Sequence, residues 1–190
     1  MLGIAFKEWA VICRALALGK QSIIIRKGGI AEEGGGFQVA EKKFWLLPTY
    51  THQQEEGIKP QAVSLLREAE SEKPPPGKLR LSHFAEVKGI YHLHDLVGAL
   101  KIDDLHMWSR DTITKRYHYR QPGLFVLAVR VFAAADTFEL DDRPEYAGCK
   151  TWVKLDRELS TANARPVLDD NDFRNVLRML DDLLNPTAFA

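Results

Sequence analysis

The sequence predicts an α+β fold, with a mixed or mostly antiparallel sheet and flanking helices. Strand-like runs at 23–25, 44–47, 78–93 and 124–135 include neighbours in sequence, so they do not alternate one by one with helices. Apolar residues at helical spacing close the chain, with Phe173, Val176, Leu177, Leu180 and Leu184 on one stripe. The composition is that of a globular protein: 45% of the 190 residues are hydrophobic and 27% charged, enough for a real core in a single domain over 1–190.

Residues 4–18 read as the first helix. Ile4, Trp9, Ile12 and Leu16 lie near one stripe, and Gly19 is a natural stop. Lys7, Glu8 and Arg14 fall on the other face, where solvation is the simpler reading. Ile23 to Ile25 form a strand that ends at Arg26 and Lys27. Gly28, Gly29, Glu32, Glu33 and three more glycines lead to a second strand over Phe44 to Leu47. Pro48, Tyr50 and His52 follow it. Two paired strands joined by a glycine-rich connection are expected here.

Pro60 suits the first turn of a helix carrying Val63, Leu66 and Ala69. The proline run at 73–77 is the connector expected between two lobes. Residues 78–93 read as one or two strands around Gly89. His94-Asp95 opens a helix, and Asp103-Asp104 can cap another that ends near Tyr119. Gln121-Pro122-Gly123 is a turn. The clearest strand follows it, with Arg130 inside an apolar run. An unpaired charge there would be costly, so Arg130 is expected to be partly buried and partnered by Glu32, Glu33 or an acid of the C-terminal third. A strand over CKTWVKL and the final helix, from about 170 to 184, complete the chain.

Formal net charge is zero, so a charged partner must be met by a local patch. Two distant cysteines, Cys13 and Cys149, exclude a disulfide framework and read as buried thiols in a reducing cytosol. No run reaches the ~18 apolar residues of a membrane span, and the cytoplasm is the expected compartment.

Two stretches carry candidate binding residues. Glycine-turn amides at Gly28 and Gly29 can nest an anion, with Arg26 and Lys27 at the edge. Tyr50 and His52 are expected on the same surface, where the apolar runs stop. The stretch is neither a Walker A loop nor a G-x-G-x-x-G turn. The second is WSRDTITKRYHYR, where Arg110, Lys115, Arg116 and Arg120 interleave with Trp108, Tyr117 and Tyr119. Cations meet phosphates and aromatic faces stack on unpaired bases, so this composition suits nucleic acid. No metal set is marked. Glu86-Val87-Lys88 lacks a converging acid on a neighbouring strand, and His92-x-His94 lacks a third ligand. No cofactor is indicated.

FKEWAVICRAL, IIIRKGGIAEEGGGF, FWLLPTYTHQ, LHMWS and YAGCKTWVKL make the chain resemble a bacterial family, the domain of unknown function numbered eighteen hundred and two. Some relatives in that family look fused to Mrr-type restriction endonuclease domains. The resemblance thereby implies a DNA context but carries over no catalytic residue. Three functions remain open: a nucleic-acid-linked accessory or recognition module in restriction or defence; a metal-dependent enzyme on a phosphorylated or nucleic-acid substrate; and a non-catalytic small-molecule or protein-binding module. The expected partner is DNA or RNA, with no membrane involved.

Overall fold

The computed structural model describes residues 1–27, 41–148 and 150–184. Most of the glycine-rich connection lies outside the described residues, with Gly28, Gly29, Glu32 and Glu33, and so does Cys149. The elements run β1 (Leu2–Trp9), α1 (Ala10–Ala17), β2 (Ile23–Arg26), β3 (Lys43–Thr49), α2 (Val63–Ser71), β4 (Lys78–Leu93), α3 (Leu96–Lys101), α4 (Arg110–His118), β5 (Leu124–Asp141), β6 (Trp152–Leu159), β7 (Arg165–Pro166) and α5 (Asp170–Leu184).

The strands form one sheet in the order β2-β5-β4-β3-β1-β6, with β7 beside β5. The β1–β3 pairing is parallel. The other pairings are antiparallel. The fold is thus α+β with a mixed, mostly antiparallel sheet. Arg26, on the edge strand β2, reaches Lys7 and Glu8 of β1 and Thr151 just before β6. These are at the far end of the strand order, so the sheet curls until its two ends meet.

Three local expectations are corrected. Residues 2–9 are a strand, and the first helix starts only at Ala10. Its apolar residues satisfy a helical stripe, but Ala5 and Phe6 are both fully buried because β1 is covered on both faces and paired on both sides. The runs at 23–25 and 44–47 are strands but not partners, since β5 and β4 lie between them. Finally, Asp103-Asp104 open only a short three-ten turn. The longer helix begins at Arg110, where Ser109 Oγ accepts from Thr112 N at 3.3 Å.

One face of the sheet buries Phe6, Ile12, Leu16, Ile23, Phe44 and Leu127 with apolar residues of the helices. Trp45, Leu81, Phe84, Leu140 and Val153 form a second cluster, and the Trp45 and Phe138 rings lie 5.4 Å apart. Arg130 is partly buried. It donates to Asp170 at the start of α5 and faces the Phe173 ring at 5.7 Å. Among the described residues no helix is long and apolar enough to cross a membrane.

The short α3 depends on its cap. Asp95 Oδ1 accepts from Gly98 N at 2.6 Å and satisfies an amide the helix cannot pair itself. Asp95→Ala is expected to cost about 1 kcal/mol in urea unfolding, and Asp95→Asn much less. Equal stability of both variants with the parent would show that the cap contributes nothing.

Candidate functional site

Parallel pairing of β1 and β3 sets Glu8 beside Pro48 and Trp9 beside Thr49, so both strands end at the same edge of the sheet. There the chain leaves β3 through Tyr50, Thr51 and His52. Arg26 arrives from β2, and the proline run at 73–77 crosses nearby on its way from α2 to β4. Between them opens a cleft of about 800 Å³. Among the described residues its basic lining consists of Lys7, Arg26, Lys73 and Lys78, with Arg80, Arg116, Arg143 and Lys150, and its acids are Glu8 and Asp142. Eight described cations against two described acids make this a positive concavity inside a neutral protein, where low-dielectric walls focus the field.

The floor is built on Glu8, Arg26 and Arg116. Glu8 is 2% exposed. Its Oε1 accepts from Trp9 N at 2.8 Å, and its Oε2 lies 3.5 Å from Arg26 Nη1. Arg26 also donates to Thr151 Oγ1 at 3.0 Å and stacks its guanidinium 4.6 Å over Phe6. Arg116 comes from α4 and lies 3.6 Å over the buried Trp108 ring, which meets Trp9 edge-on at 4.7 Å. Burial pulls the Arg116 pKa down to about 10, the Glu8 charge opposes that shift and Arg26 adds to it. The guanidinium therefore stays cationic at neutral pH. On the wall, burial pushes the Tyr50 phenol up, so it remains a neutral hydroxyl. Lys73 sits 5.2 Å over its ring. Lys7 extends sideways to the Tyr146 and Gly148 carbonyls and ties down the far wall.

Of the residues singled out in the sequence, Arg26, Tyr50, His52 and Arg116 meet in this cleft. Lys27 does not line it. Its amine donates to the carbonyls of Tyr117 at 2.8 Å, Gln121 and Gly123 at 2.9 Å, holding the end of α4. Gly28 and Gly29 lie outside the described residues. The 108–120 segment does not form one basic face. Arg110 pairs with Asp103 at 3.2 Å and Lys115 with Asp111 at 2.6 Å. Trp108 and Tyr117 are buried. Arg120 and the exposed Tyr119 stay on the outside, with guanidinium and ring 5.1 Å apart.

Sequence reasoning missed Glu8, Trp9, Lys73, Arg80 and Lys150 as parts of one site. Glu8 and Trp9 were hidden by the helical reading of 4–18. The signal that could have found them is alternation in FKEW, which sends Phe6 and Glu8 to one side of a strand. Among the described residues no group of three or more His, Cys, Asp or Glu is placed to hold a metal.

The family model "Domain of unknown function (DUF1802)" matches residues 5–179. The chain belongs to the DUF1802 family. The match spans β1 to most of α5, so it includes every element that lines the cleft. This DUF1802 chain is also similar to solved structures of ASCH from Zymomonas mobilis. One has 9% identity and a TM-score of 0.46, over 92% of this chain and 93% of that chain. A mutant of the same protein has 10% identity and a TM-score of 0.44, over 92% and 96%. No curated protein matches the chain.

Proposed function

We propose that this cleft binds single-stranded nucleic acid and that the protein is a recognition or accessory module, working in the restriction or defence setting that the family resemblance implies. The observation that carries this reading is the excess, among the described residues, of eight basic over two acidic side chains around one concavity with Trp9 and Tyr50 in its walls. Cations meet phosphates, and aromatic faces accept unpaired bases. A cleft of about 800 Å³ is within the size range of pockets that enclose a small molecule, so it suits one or two nucleotides and not a duplex.

The test is fluorescence anisotropy with labelled single-stranded DNA, single-stranded RNA and duplex DNA at several salt concentrations. Single strands should bind more tightly, and affinity should fall steeply with salt. A Lys73→Ala/Lys150→Ala double variant should make that salt dependence shallower, by about 0.7 in the log–log slope for each phosphate it no longer neutralises. A second variant, Arg110→Ala/Lys115→Ala/Arg120→Ala, should bind like the parent because these residues lie outside the cleft. No binding at low salt would overturn the proposal. So would loss of binding confined to the second variant.

A further inference from the structure

We infer that the floor of the cleft reads the edge of an unpaired nucleobase, one with an imino N–H beside a carbonyl, through Glu8 and Arg116. This rests on the nucleic-acid reading above and adds what occupies the deepest position. Two buried atoms motivate it. Among the described residues Glu8 Oε2 accepts no hydrogen bond, its ion-pair partner Arg26 Nη1 standing 3.5 Å away, and Arg116 Nη1 donates none. Both side chains line the cleft, and Glu8 is close enough to act on the ionisation of Arg116. Buried polar atoms are almost always paired, so an acceptor and a donor left open in one floor ask for a ligand with the complementary pair.

The chemistry of that ligand follows from the two atoms. A phosphate oxygen offers only acceptors. It can satisfy Arg116 but not Glu8, whose carboxylate repels it, so phosphates belong at the rim with Lys73, Lys78 and Lys150. A free cation would satisfy Glu8 but meet both Arg26 and Arg116. A neutral planar group carrying a donor next to an acceptor satisfies both atoms at once. Guanine, uracil and thymine present an imino N–H beside a carbonyl oxygen, which suits a carboxylate and a guanidinium lining one cleft. Adenine has no carbonyl, and cytosine has no imino N–H. The edge-on Trp9–Trp108 pair behind Arg116 fixes the guanidinium, so the donor is held in place before the base arrives.

The experiment compares short single-stranded oligonucleotides of one length, carrying guanine, uracil, thymine, adenine or an abasic position at the centre of an otherwise abasic backbone. With the unaltered protein, guanine, uracil and thymine should bind about tenfold tighter than adenine or the abasic chain, the usual worth of one good base-edge contact. In Glu8→Gln the Trp9 amide holds the remaining oxygen, so an NH2 donor stands at the open position and the negative charge is gone. The variant should erase this preference while binding the abasic backbone at least as well as the parent. Thermal melting checks that the variant is folded, and the comparison in the unaltered protein stands without it. Equal affinity for all five oligonucleotides would overturn the base-reading floor and leave the nucleic-acid proposal intact. Failure to bind any of them at low salt would overturn both.

Discussion

Replacing Trp108 with alanine is expected to destabilise the protein by about 3–5 kcal/mol, the usual cost of emptying a large aromatic site in a core. Trp108 is fully buried. The Trp9 ring meets it at 4.7 Å, and the Arg116 guanidinium lies 3.6 Å away. Alanine would leave a cavity under the cleft floor and remove the ring that holds Arg116. Neighbours can relax only partly, because Trp9 is itself packed against Gly57, where even a methyl group would come within 2.8 Å of the indole. Chemical denaturation of the parent, Trp108→Phe and Trp108→Ala gives the measurement. The phenylalanine variant should retain part of the stability and part of the cleft's affinity for single strands. A loss below about 1 kcal/mol in the alanine variant would show that the site collapses freely and that Trp108 does not brace the floor.

Acid is expected to weaken the fold through His106. This residue is 1% exposed, and among the described residues neither ring nitrogen has a hydrogen-bond partner of good geometry. Burial, reinforced by the nearby Lys59 charge, pushes its pKa down from 6.5 to about 4, and Asp103 only partly opposes this. The folded state therefore holds the neutral ring where the unfolded chain would take up a proton. Stability from this group is complete above pH ~6.5, falls as the pH drops toward ~4 and is flat below that. The drop across that window is about 2–4 kcal/mol, since a tenfold difference in proton affinity between the two states is worth ~1.4 kcal/mol. Urea unfolding at a series of pH values measures it. His106→Leu should flatten this limb and cost little at pH ~7.5, because no hydrogen bond of good geometry is removed. An acid limb of the same depth in His106→Leu would assign the sensitivity elsewhere.

How much of this was legible in the sequence depended on whether a feature is local. The strands at 23–25 and 124–135 were readable because β-branched runs stop at polar residues or glycine. The last helix was readable because its five apolar positions repeat at one spacing. The eight residues of β1 were not. No glycine or proline separates this strand from α1, and Ile4, Trp9, Ile12 and Leu16 happen to continue a helical stripe across the junction. Pairing was not legible either. β2 and β3 are neighbours in sequence, but their partners are chosen by burial, and β5 and β4 fill the space between them. Arg26, Tyr50 and His52 could be grouped beforehand because polar residues collect where buried strands end. The composition of 108–120 showed its cations but not their directions. Only the fold turns Arg116 inward over Trp108 while Arg110 and Lys115 find acids on the surface.

The place of β1 between β3 and β6 has a consequence for how the chain is made. LGIAFKEW is synthesised before either of its neighbours, and its second partner, β6, ends only at Leu159. Through most of translation this apolar segment has an open edge, and its parallel pairing with β3 cannot be supplied by a tight turn. Closure of the sheet thus waits until β6 has left the ribosome. The nascent protein spends that interval exposed to sticky encounters with other chains, the circumstance in which chaperones act.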